Sequence, residues 1–243
     1  MHDMTKTRGG LHRRTLKYPG LTALLLTIAV STLGAVCAYG QSVPLLPGSS
    51  VALPGTTSIA EPDLAGPIIA DQTIPLGGFG TNVAITGTLE DRVVRETLTG
   101  NLDFYGQITI TDFGNNFVAV DSIGMGNFLG YSVNANFRTD GTGVQGPDEA
   151  ARSSDGSTVA WYFSPRLGAP GGASESLFFF AQTDAQYYDS NGSADIVAYS
   201  VFNGEIAPQI NLSGIYQPVP EPATLALAGL GGLAALGVAR RRK

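Results

Sequence analysis

The chain has 243 residues, with 14 Lys and Arg against 20 Asp and Glu and a formal net charge of −6. Residues 41–219 hold five of the cations, Arg92, Arg95, Arg138, Arg152 and Arg166, against 18 carboxylates, a formal charge of 5 − 18, or −13, with no lysine, histidine or cysteine. That inventory excludes Ser-His-Asp and Cys-His centres, Ser-Lys dyads, Schiff bases, the usual His/Cys zinc site and any disulfide, and it offers no cluster of cations to a nucleic acid.

In chain order, residues 1–40 read as a secretory signal peptide. Lys6, Arg8, Arg13, Arg14 and Lys17 precede an apolar run, Leu21 to Val30, which forms the signal helix, and small residues around Ala38 and Gly40 offer cleavage sites. Arg13-Arg14 partly resembles a twin-arginine export signal, although paired arginines are common in any basic leader. Cys37 follows Val36 and not the small residue that lipoprotein processing prefers, so lipidation is not expected.

Residues 41–75 read as a mostly extended linker. Pro44, Pro47, Pro54, Pro62, Pro67 and Pro75 exclude central strands and helices, although Ile68-Ile69 has the character to add to a domain edge.

From residue 76 to 216 the hydrophobic period becomes two. Leu102, Phe104, Ile108 and Ile110 share one face with Gly106 between them, while Asp103, Tyr105, Gln107 and Thr109 take the other, the pattern of a half-buried strand. Leu129, Tyr131, Val133, Ala135 and Phe137 repeat it. Together with six further strand-like runs and Gly, Asn, Asp and Ser clusters between them, this predicts an all-β fold. The expectation is an antiparallel β-sandwich or jelly-roll of about eight strands, with Trp161, Phe163, Phe178, Phe179 and Phe180 filling its core.

Candidate sites in this domain are sparse. Asp189, Asn191 and Asp195 gather oxygen donors around Gly192 as a Ca²⁺ loop does, without the Glu and spacing of an EF-hand; a solvated hairpin turn accounts for them equally well, and calcium is the one cofactor left open. Tyr105, Tyr162, Tyr187 and Tyr188 offer faces for sugars but more commonly act as cross-strand packing partners. Glu90-Asp91, Asp148-Glu149 and the pair Glu96 and Asp103 are the carboxylates close enough in sequence for glycoside hydrolysis, and none shows an apolar surround. No catalytic residue is assigned.

Residues 217–243 have a different organisation. Val219, Pro220, Glu221 and Pro222 form an extended motif, since each proline biases its predecessor away from helix. No charge occurs from Ala223 to Ala239, where Leu225, Leu227, Leu230, Leu233, Leu236 and Val238 provide a marginal transmembrane helix. Arg240, Arg241, Arg242 and Lys243 then hold its end on the cytoplasmic side and leave the remainder of the chain outside.

Motif, apolar span and basic stop in that order resemble the PEP-CTERM sorting signal. The resemblance covers the tail alone. It implies an exosortase-type processing enzyme as partner and a transient inner-membrane anchor, followed by release to the cell surface or extracellular matrix of a bacterium, where extracellular polysaccharide is a further partner. With no site assigned, the domain reads as non-catalytic. The alternatives are a carbohydrate-binding module, with outward aromatics on one strip, and a secreted polysaccharide hydrolase using two facing carboxylates.

Overall fold

The computed structural model describes residues 40–77, 85–113, 118–170, 172–200 and 209–220. The expected signal helix, up to residue 39, and the tail from residue 221 onward, with its expected transmembrane helix, lie outside them. Among the described residues no helix is long and apolar enough to cross a membrane.

Among the described residues there are twelve strands: β1 (Val43–Pro44), β2 (Ser50–Ala52), β3 (Ile68–Leu76), β4 (Thr86–Arg95), β5 (Leu102–Asp112), β6 (Val118–Met125), β7 (Val133–Phe137), β8 (Glu149–Arg152), β9 (Val159–Leu167), β10 (Phe179–Thr183), β11 (Tyr187–Ser200) and β12 (Ile210–Val219). They form two six-stranded antiparallel sheets, ordered β1-β7-β10-β5-β4-β3 and β12-β11-β6-β9-β8-β2. One 3-10 turn, Pro62–Ala65, lies between β2 and β3.

The main core lies between the sheets. Phe104, Ile108 and Phe179 of the first sheet meet Ile123, Trp161 and Ile196 of the second, all fully buried. Trp161 and Phe179 stack at 4.9 Å between centroids and tilt by 39°. Each such aromatic ring removes enough apolar surface from water to contribute roughly 2 kcal/mol or more, which a domain without disulfides requires.

The expected linker is part of this sandwich. β1, β2 and all of β3 but its last residue come from residues 41–75, and they occupy sheet edges, where a missing proline N–H breaks no ladder bond. Pro44 and Pro75 sit in β1 and β3 for that reason. Proline density kept these residues out of central strands but could not show that edges were being built, and the described residues hold twelve strands against the expected eight or so.

Two face assignments also differ. β5 is buried on both faces, not one: Asp103 is 0% and Tyr105 3% exposed. Leu64, Val94, Tyr105, Phe178 and Phe180 form a second small core on the outer side of the first sheet, so of the three consecutive phenylalanines only Phe179 points into the main core. The strand expected from Leu129 begins only at Val133, because Asn127 and Gly130 adopt positive φ of 70° and 87° and turn the chain.

Candidate functional site

The last strand carries the functional boundary. β12 pairs with β11 through Tyr187↔Val219, Tyr188↔Pro218 and Asp189↔Gln217. Val219 therefore belongs to the sheet, and the folded domain reaches three residues further than the expected boundary at residue 216. Pro218 is tolerated because β12 is an edge strand.

Side chains from other elements hold this end of β12. Asp91 Oδ2 accepts the Tyr216 backbone N–H at 2.7 Å and the Gln72 carboxamide at 2.8 Å, while Gln72 also donates to Gly214 O at 2.7 Å. These contacts join β3 and β4 of one sheet to β12 of the other. Asp91 is fully buried, and that burial pushes its carboxyl up to about 6, with the Tyr216 and Gln72 hydrogen bonds opposing the rise. The Asn127 side chain donates to Gln217 Oε1 from the loop after β6.

A second carboxyl site was masked in the sequence by its polar neighbours. Glu96 opens the tight turn after β4 and Asp103 lies in β5 just beyond it, and both are buried, Glu96 at 8% exposure. Burial first, then the Glu96 carboxyl beside it, drive the Asp103 pKa well above the ordinary range. Thr99 Oγ1 donates to Glu96 Oε2 within the turn. The apolar surround missing from the sequence reading is supplied by the fold, because the outer face of β5 is covered.

Next to this pair, the outer face of the first sheet forms a groove of about 520 Å³, within the size range of small-molecule sites. Arg92 spans it, giving Nη2 to Asp71 at 3.0 Å and to Glu90, with its guanidinium carbon 4.7 Å from the Phe178 ring centroid. Burial raises the Glu90 carboxyl although Arg92 pulls it down. At the other wall Arg138 grips Asp140 at 2.6 and 3.0 Å and donates to Leu64 O at 2.9 Å. Ser58 adds two bonds to Asp140 Oδ2, at 2.8 and 2.7 Å, so the stretch through residues 58–64 is strapped over the sheet. Burial works against ionisation of Asp140, but bonds from Arg138 and Ser58 hold its carboxyl below the usual range.

The tyrosines do not form one strip. Tyr105 lies under Phe178 and Phe180, with ring centroids 6.4 and 5.0 Å away, so its face is unavailable for stacking on a sugar. Its hydroxyl sits beside the Arg138 guanidinium without a hydrogen bond of ordinary geometry. Tyr162 and Tyr187 are the exposed members, on β9 and β11, and Tyr188 packs edge-on against Tyr216 at 5.5 Å.

Asp189, Asn191 and Asp195 lie along β11, in neither a hairpin turn nor a loop. Asp189 accepts the Asn191 N–H at 3.0 Å, a bond that lowers its carboxyl, whereas Asp195 pairs with Asn211, six positions and on the order of 15–20 Å further along. Gly192 marks a bulge here, where an added Cβ would sit 2.7 Å from Ile215 O. Bulges and turns recruit the same small polar residues, which is why the sequence read as a turn. Among the described residues no three of His, Cys, Asp and Glu gather as a metal centre would.

Of the expected sorting motif, Val219 and Pro220 are described; Glu221, Pro222, the apolar span and the basic stop lie outside the described residues. Compared with known families, residues 218–243 match the PEP-CTERM protein-sorting motif. No curated protein and no solved structure matches the chain.

Proposed function

We propose that the chain is an exported, non-catalytic protein of the cell surface or extracellular matrix, delivered by an exosortase-type enzyme that removes its tail. The PEP-CTERM motif implies export with transient membrane sorting. The observation that carries the reading is positional: the matched stretch, 218–243, opens where β12 ends, so the tail follows a finished domain and contributes at most two residues to its sheet. Mass spectrometry of surface and matrix fractions tests it. The expected mature form lacks Leu225–Lys243; a surface form retaining those residues refutes processing.

The groove on the first sheet supports a second reading, binding of a neutral saccharide of the matrix. Arg92 and Arg138 are already paired there with Asp71, Glu90 and Asp140, which leaves donors and acceptors together with no unpaired cation to attract an anionic ligand, the chemistry that hydroxyl groups require. Retention on neutral glycan resins, lost in Arg92→Ala, is the expected sign. Equal retention of both proteins refutes it.

A further inference from the structure

The register places a defined set of loops at the end of the sandwich from which the tail leaves. Val219 pairs with Tyr187, the first residue of β11, and residues 184–186 connect back to Thr183 of β10. Thr183 pairs with Val133, so the loop 126–132 lies at this end. Thr183 Oγ1 also bonds Leu102 O, and Leu102 pairs with Arg95, which brings the turn 96–101 here. Leu45 N–H donates to Val133 O, which adds the turn 46–49.

Three of these loops carry an outward leucine: Leu46 at 68% exposure, Leu98 at 81% and Leu129 at 65%, with Tyr187 at 40% beside the exit strand. Single exposed leucines are ordinary and mean nothing alone. Their common position matters because of the tether. Six peptide steps separate Val219 from Leu225, the first leucine of the apolar span, and a chain that short reaches no more than about 22 Å.

We propose that, while the tail is uncut, this end of the sandwich rests on the lipid bilayer with Leu46, Leu98 and Leu129 entering its interface. The inference rests on the reading of residues 225–239 as a membrane span. The loops are held in position by one buried side chain: Arg152 donates to Leu45 O at 3.1 Å and to Phe128 O and Tyr131 O at 2.8 Å each, fixing the turns that carry Leu46 and Leu129. Asp63, Glu96, Asp155 and Asp184 also lie at this end, outnumber Arg95 there and repel anionic lipid, so the contact depends on apolar insertion and on the high effective concentration set by the tether. Removing the tail ends the tether and its high effective concentration, and three leucines alone do not hold the acidic domain on the bilayer.

Because Cys37 is the chain's one cysteine, the full chain carrying Cys37→Ser accepts a single probe at Leu98→Cys, Leu129→Cys or, at the opposite end, Val144→Cys, where Val144 is 75% exposed. Each labelled protein is reconstituted into phosphatidylcholine vesicles containing a headgroup nitroxide lipid, and quenching is read. Quenching at 98 and 129 at least threefold above that at 144 is expected. Equal quenching at all three sites in protein that floats with the vesicles overturns the docking and leaves the membrane span intact. Failure to float overturns the span and the docking together. Quenching at 98 and 129 that appears only when the processing enzyme is co-reconstituted assigns this end to the enzyme and overturns lipid contact.

Discussion

The Asp91 carboxylate of one sheet accepts the backbone N–H of Tyr216, three residues before the end of the other sheet's last strand, at 2.7 Å. Its folded pKa of about 6 exceeds the unfolded value of about 3.9, so the native state binds the extra proton. Stability contributed by Asp91 is whole below about pH 4 and declines by about 3 kcal/mol as the pH rises to about 6. Asp91→Asn removes that decline. Urea unfolding of both proteins at pH 4, 5, 6 and 7 checks it; a constant difference between them would falsify the assignment.

Arg138 and Asp140 strap residues 58–64 across the first sheet. Asp140→Ala is expected to cost roughly 1–2 kcal/mol, discounted because the pair is partly exposed to solvent, and to open this stretch to limited proteolysis. With its pKa depressed, Asp140 contributes fully above about pH 4 and loses that contribution as the pH falls through its folded value. An unchanged cleavage map would rule out the strap.

Arg152 is 6% exposed and satisfies four backbone carbonyls, those of Leu45, Phe128, Tyr131 and Gly156. Arg152→Ala leaves them unpaired and should cost about 2–4 kcal/mol. Arg166→Ala, which breaks a 2.7 Å ion pair with Asp121 on a side chain 40% exposed, should cost about 1 kcal/mol or less. Denaturation midpoints of the two variants compare them directly, and equal losses would contradict this account of Arg152.

Gly106 lets the Phe179 ring cross β5, for an added Cβ would lie 2.5 Å from it. Gly106→Ala is expected to lower stability by about 1–3 kcal/mol, while Gly77→Ala, with nothing within 4 Å of its Cβ position, should be near neutral. Thermal melts of the two variants decide the matter, and a harmless Gly106→Ala would mean that the ring has room to move.

Much of the sandwich was legible because period two is written locally. The alternation in β5 marked a strand, and the gap at Gly106 marked the place where Phe179 crosses it. Burial of its second face was not legible, since the cover comes from Leu64 and Phe178, more than 35 residues away in either direction. The same distance hid the apolar setting of Asp103, and at Leu129 two residues of positive φ broke a pattern that composition alone presented as continuous.

By itself the sequence determined the β character of residues 76–216, the chemistries that a segment without lysine, histidine and cysteine cannot perform, and the sorting tail, because each resides in residue identity and short-range order. Only the tertiary structure decided that the proline-rich stretch builds sheet edges, that Asp91 clasps the exit strand and that three outward leucines share the end from which the tail departs. Pairing between strands far apart in the chain fixes those relations, and no local pattern encodes which distant partner a strand will meet.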